Sequence, residues 1–332
     1  MGLITAFANF LCRAFRNGAL AIFILSLFYI STYICSQFNH ITIYTTALRD
    51  RSITLTDLPA DYVRSLNESI NQNVPFTHNI TTNTFQIPRI IHQTYKTITI
   101  PEKWEYSYNS CKEQNPAYTH MFWTDESARQ FIESHFPWFL STYDAYLYPI
   151  QRVDSIRYFL LWHYGGIYID LDVSCRRPLD PLLTFPAWFP KTQPYGVSND
   201  IIASTARHPV MLKLALSLHD HNERLGTGYT TVFWSTGPMF VNVILGKWFK
   251  AVENGDGNDG VRILPPMFYD RTGYSFFGHR EGSSWHGGDV AFAKWAYGRL
   301  WWLLGLVTLG PAVLMFVCRR RWESKQLYYS RV

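Results

Sequence analysis

Tyr164-Gly165-Gly166-Ile167-Tyr168-Ile169-Asp170-Leu171-Asp172 decides how this 332-residue chain is read. A glycine pair ends one element, and the apolar run behind it closes on two carboxylates. Side chains along a strand alternate between faces, so the pattern predicts Ile167, Ile169, Leu171 and Val173 on one face and Tyr168, Asp170 and Asp172 on the other. Neighbouring carboxylates repel and raise one another's pKa unless a cation or a set of donors stands beside them. Oxygen-rich sites of this kind suit Mg²⁺ or Mn²⁺, ions that hold substrate phosphates in place. A bare Asp-x-Asp is also the composition of a solvated turn; the apolar run ahead of this one favours a cleft.

Upstream, Pro149 through Tyr164 reads as a helix, with Val153, Ile156, Leu160 and His163 at three- and four-residue spacing and the glycines ending it. Asp154 and Arg157 lie three apart and share one helix face. A surface ion pair is one reading. A pair delivered to the cleft by a helix that runs straight into the acidic strand is the other, because open α/β sheets bind ligands beyond the carboxyl ends of their strands.

With these residues in place the chain resembles the DXD-containing sugar transferases of glycosyltransferase family 32, related to the fungal initiating α-1,6-mannosyltransferase and, more distantly, to the large clostridial glucosylating toxins. Arg152-x-Asp154-x-x-Arg157 and Gly165 through Asp172 carry the likeness, together with Ile87-Pro88-Arg89-Ile90-Ile91-His92-Gln93-Thr94 and Tyr118 through Asp125. Tyr95 departs from it, standing where the family has tryptophan. The resemblance implies an α/β fold of the GT-A, Rossmann-like type and a nucleotide-sugar donor transferred with retention of configuration. It implies catalytic roles for Asp154, Arg157, Asp170 and Asp172, and donor binding by His92, Gln93, Thr94, Asp154, Arg157, Asp170, Asn199 and Asp200. An Asx turn explains Asn199 and Asp200 equally well. It further implies Mn²⁺, with Mg²⁺ as the alternative, held by Asp172 and His279, and a closing element at Ser284 and Trp285.

The chain ends bear on location. Gly18 to Cys35 is uncharged and mostly apolar, and Leu300 to Cys318 is a second such run of 19 residues, each close to the length that spans a bilayer. Arg13 and Arg16 precede the first and Arg319, Arg320 and Arg321 follow the second, which predicts cytosolic termini. The expected order is a tail (1–17), a transmembrane helix (18–35), a luminal stem (36–84), the GT-A domain (85–298), a second transmembrane helix (299–319) and a tail (320–332). That order describes a multi-pass Golgi membrane protein with a luminal catalytic domain.

Two anchors around one cleft, taken with the motifs, resemble the catalytic subunits of fungal mannosylinositol phosphorylceramide synthases. That likeness implies transfer of mannose from GDP-mannose to inositol phosphorylceramide beside the lipid bilayer, with a membrane regulatory subunit as partner. A Golgi protein-glycan α-mannosyltransferase is the enzymatic alternative, and an inactive sugar-binding subunit or scaffold the non-enzymatic one. Asn67-Glu68-Ser69 and Asn79-Ile80-Thr81 are N-glycosylation sequons. Of five cysteines, Cys111 and Cys175 are the candidates for an internal disulfide, which an oxidising compartment permits without requiring. The net charge of +5 comes from dispersed basic residues with no recognition module, which excludes a nucleic-acid partner.

Overall fold

The computed structural model describes residues 44–72, 85–192, 195–255, 260–270 and 272–280, with the single positions 29, 42 and 299. Apart from those three positions, the described residues belong to one unit, Ile43–His286.

Its centre is a six-stranded sheet in the order β2-β1-β3-β6-β5-β7. Strand β1 (Ile90–Thr94) pairs in parallel with β2 (Thr119–Trp123) and with β3 (Gly166–Ile169). Strand β6 (Ile201–Ser204) runs antiparallel to both β3 and β5 (Ala187–Pro190), and β5 pairs in parallel with β7 (Val261–Leu264). A separate two-stranded ribbon joins β4 (Val173–Cys175) to β8 (Phe277–His279).

Nine α-helices are placed among the described residues. They are α1 (Ala60–Gln72), α2 (Glu102–Gln114), α3 (Asp125–His135), α4 (Pro137–Ala145), α5 (Pro149–Tyr164), α6 (Pro209–Ser217), α7 (Gly228–Ser235), α8 (Pro238–Glu253) and α9 (Pro266–Tyr269). Prolines occupy the first turns of α4, α5, α6, α8 and α9, where a missing N–H costs nothing. The predicted helix is α5, with the predicted bounds, and it stops because Gly165 takes φ +68° and caps back to the Leu161 carbonyl. Gly166 follows at φ +102°, where an added Cβ would meet the Ile90 carbonyl oxygen at 2.6 Å. Both positions therefore need glycine, to turn the chain and to let β3 lie against β1.

The sheet has apolar side chains on both faces, so β3 is buried throughout. Tyr168 joins a cluster with Phe159, Leu160, Phe240 and Ile244, whereas Ile167 and Ile169 join another with Tyr62, Trp188 and Phe277. Alternation thus holds from Ile167 to Ile169. It fails beyond, because the strand stops at Ile169 and Asp170-Leu171-Asp172 is a turn, closed by the Val173 N–H donating to the Asp170 carbonyl at 3.0 Å. The acidic pair is consequently presented by the turn that passes the chain from the main sheet to the ribbon, and not by one face of a continuous strand. A disulfide between Cys111 of α2 and Cys175 of β4 ties down the far side of that turn.

The stretch expected as a stem supplies core side chains. Tyr44, Ala47 and Leu48 pack into the first cluster, and Leu58, Tyr62 and Leu66 into the second. The flanking transmembrane helices, and the multi-pass topology with cytosolic termini built on them, require correction. No helix among the described residues is long and apolar enough to cross a membrane. The runs at 18–35 and 299–319 lie outside the described residues, except for the single positions Tyr29 and Arg299. What the described residues show is an α/β domain built on a mixed six-stranded sheet.

Candidate functional site

The carboxyl ends of β1 and β3 meet the amino-terminal half of α5, and Arg157 is the hinge of the arrangement. It is buried at 3% exposure. Its Nη1 lies 3.1 Å from Asp154 Oδ1 and donates to the Asn199 carbonyl at 2.7 Å, and its Nη2 lies 2.9 Å from Asp170 Oδ1. The guanidinium also stacks over the Tyr168 ring, 4.8 Å from its centroid. Asp154 is equally enclosed: Oδ1 accepts from Asn199 Nδ2 and Oδ2 from Thr236 Oγ1, each at 3.1 Å. Burial pushes the Asp154 carboxyl up, while Arg157, Thr236 and Asn199 pull against that. Asp154, Arg157 and Asn199, read from the sequence as donor contacts, therefore form a closed network beneath the cleft, each no more than 5% exposed.

Above it Asp170 is one quarter exposed. The Tyr168 hydroxyl donates to its Oδ1 at 2.8 Å and is itself bonded to Thr94 Oγ1 at 2.7 Å, which links β1 to the acidic turn. Burial, and then the neighbouring carboxylates of Asp172 and Asp200, push Asp170 up to about 8 against the pull of Arg157. Burial and Asp200 likewise raise Asp172. Asp200 belongs to this pole because the Asp170 N–H donates to its carbonyl at 2.8 Å.

The ribbon brings in the last part. Register places His279 opposite Val173, and the Arg280 N–H donates to the Asp172 carbonyl at 2.9 Å. His279 Nδ1 lies 3.8 Å from Asp200 Oδ2, the same oxygen that accepts from the Tyr269 hydroxyl at 2.7 Å. Residues about 110 positions apart in sequence, Asp170 and His279, are thereby gathered at one cleft.

Other expected site residues lie elsewhere. His92 is fully buried: Trp123 Nε1 donates to its Nδ1 at 3.2 Å, so Nε2 carries the proton and donates to the Gly165 carbonyl at 2.9 Å. Burial holds it neutral, with its pKa lowered to about 4. Gln93 is buried with its Nε2 lacking a partner. Thr94 reaches the cleft only through Tyr168. Asn67 lies within α1, and its side chain accepts from the Tyr274 hydroxyl at 2.9 Å. Asn79, Ser284 and Trp285 lie outside the described residues. Thr236 stands in a turn that resembles the family's Thr-Gly-Pro element, expected to position donor-side backbone, whereas Tyr269 was not singled out from sequence. The Thr236-Gly237-Pro238 turn carried a signal for the first; a tyrosine ending a four-residue helix carried none for the second.

The donors fit a divalent cation chemically. Three neighbouring carboxylates, of which Asp170 and Asp172 are raised, face one buried arginine, and an imidazole stands beside them. Among the described residues, no group of three or more His, Cys, Asp or Glu is gathered closely enough to enclose an ion.

Residues 101–188 match the family described as glycosyltransferase sugar-binding region containing DXD motif. The chain is 50% identical over 208 residues to the mannosyl phosphorylinositol ceramide synthase CSH1 of Saccharomyces cerevisiae, covering 63% of this chain and 55% of that one. It is 38% identical over 251 residues to the inositol phosphoceramide mannosyltransferase 2 of Schizosaccharomyces pombe, covering 72% and 73%. Against the first relatives it matches, it spans between about half and three fifths of their length. Among solved structures, the PaToxG glycosyltransferase aligns with a TM-score of 0.41 at 18% identity, over 59% of this chain and 80% of that one.

Proposed function

The chain belongs to the DXD-containing glycosyltransferases related to the fungal mannosyl phosphorylinositol ceramide synthases, and on that premise we propose that it transfers mannose from GDP-mannose to inositol phosphorylceramide. The observation that carries the reading is Asp170-Leu171-Asp172 held in a turn at the carboxyl end of β3, with Arg157 bonded beneath Asp170 and His279 across the cleft. Transfer proceeds with retention of anomeric configuration.

Asp170 faces the sugar or ribose of the donor. Arg157, itself fixed by Asp154, holds the Asp170 carboxylate in place from below, and Tyr168 holds it from the side. Asp172 and His279 hold Mn²⁺ or Mg²⁺, which when bound supplies positive charge to the departing diphosphate. Arg157 is a positioning residue in this scheme, because its side chain is enclosed.

The test is an assay of purified protein with labelled GDP-mannose and inositol phosphorylceramide, run with and without Mn²⁺ and against a panel of other nucleotide sugars. Mannosylated lipid formed only from GDP-mannose and only with the metal is the expected result. Transfer to a peptide glycan in place of the lipid supports the protein-glycan alternative, and no transfer from any donor refutes the enzymatic reading.

A further inference from the structure

Resting on the metal-dependent reading above, the geometry points to Tyr269 as the residue that selects the metal-binding nitrogen of His279. The argument starts from a carbonyl. His279 Nε2 lies 2.8 Å from the backbone oxygen of Tyr269, and a carbonyl oxygen only accepts, so Nε2 carries a proton. In the neutral imidazole the lone pair is then left on Nδ1, and a ring nitrogen's availability for a metal is set by the bond its partner nitrogen makes.

Nδ1 is the nitrogen that faces the carboxylates, 3.8 Å from Asp200 Oδ2. The same tyrosine controls that oxygen, since its hydroxyl donates to Asp200 Oδ2 at 2.7 Å. Its ring also packs edge-on against the imidazole, with centroids 4.5 Å apart, which fixes the plane of the ring. Backbone, hydroxyl and ring of one residue thus grip both His279 and Asp200.

Tyr269 is able to do this because α9 is a single turn pinned at its end: the Asp270 N–H donates to the Pro266 carbonyl at 2.7 Å, and Phe268 beneath is fully buried. The assignment makes Nδ1 of His279 the ligand and places Asp200 beside the ion, within one coordination sphere of that nitrogen. Tyr269 itself touches neither metal nor donor and is a positioning residue.

The experiment is Mn²⁺ binding in the presence of GDP, followed by loss of the free-ion electron paramagnetic resonance signal, which needs no turnover. The His279→Asn amide reaches the Nδ1 position and the His279→Gln amide the Nε2 position. Expected are retention of binding within about tenfold of wild type in His279→Asn and a further loss of about tenfold in His279→Gln. The reverse order of the two histidine variants overturns the inference while leaving the metal reading intact. Absence of Mn²⁺ binding by wild type removes both. Long-range ¹H–¹⁵N spectra of metal-free wild type supply an answer independent of variant folding. A protonated Nε2 with a bare Nδ1 in His279 supports the assignment, and the opposite tautomer overturns it.

Discussion

The two poles of the site, a few ångströms apart, are built on opposite principles. Below the cleft, Asp154, Arg157, Asn199 and Thr236 are enclosed, and both Asp154 oxygens and both terminal Arg157 nitrogens are bonded. Above it, Asp170, Asp172 and Asp200 lie partly open to solvent, and burial and neighbouring carboxylates raise Asp170 and Asp172. An enclosed network of this kind gives rigidity, and of its side-chain atoms Arg157 Nε has no partner among the described residues. The upper pole gathers carboxylates around one arginine, and on the proposed reading a cation would bind there. Stability and binding are therefore separable here by the choice of residue.

The largest effect should come from breaking the lower pole. Arg157→Leu leaves Asp154 buried without its cation and is expected to cost about 3–5 kcal/mol in urea unfolding, much of it recovered when Asp154→Leu is added. The disulfide comes next, because it anchors β4 and with it the turn that joins the poles. Replacing Cys111 and Cys175 by serine opens a loop with a sequence separation of 64 and should cost about 4 kcal/mol. Both cysteines are nearly inaccessible, so the loss should appear in unfolding experiments before it appears as exchange with added thiol.

The upper pole should respond in the opposite way. Asp172→Asn is expected to lower the transfer rate about 10²–10³-fold. It should shift unfolding free energy by no more than about 0.5 kcal/mol, because it removes a repelled charge near the surface. An equal loss of stability in Asp172→Asn and Arg157→Leu would erase the contrast between the poles.

Acidification sharpens it further. His92, on β1 beside β3, is neutral in the fold with its pKa lowered by burial to about 4, below the ordinary 6.5 that it regains on unfolding. A group depressed in this way contributes fully above 6.5 and loses its contribution as pH falls from 6.5 towards 4. Unfolding free energy should therefore drop by about 2 kcal/mol between pH 7.5 and pH 5 on account of His92, measured as the difference in pH slope between wild type and His92→Gln. His208, also lowered to about 4 by burial, adds a decline of the same sign.

Much of this protein was legible in one dimension. The bounds of α5 follow from proline at one end and two glycines at the other, since these residues set backbone angles whatever surrounds them. The family, too, is carried by local motifs, in which Asp154, Arg157, Asp170 and Asp172 stand at fixed spacing. Periodicity was less informative where the environment changed. Ile167 through Ile169 alternate as a strand should, but Asp170 through Asp172 turn, because there the chain leaves the main sheet for a ribbon whose partner strand begins at Phe277. Sequence spacing holds no trace of a partner about 100 residues away.

By itself, then, the sequence determined the helix, the strand, the acidic pair and the kinship, because each is written in neighbouring residues. Only the tertiary structure decided which of those residues are open to a ligand. Asp154, Arg157 and His92, expected as donor contacts, are buried. The ribbon brought His279 to the acidic turn, and a single helical turn set Tyr269 against His279 and Asp200. Solvent access and long-range pairing are properties of the packed chain, and no window of sequence contains them.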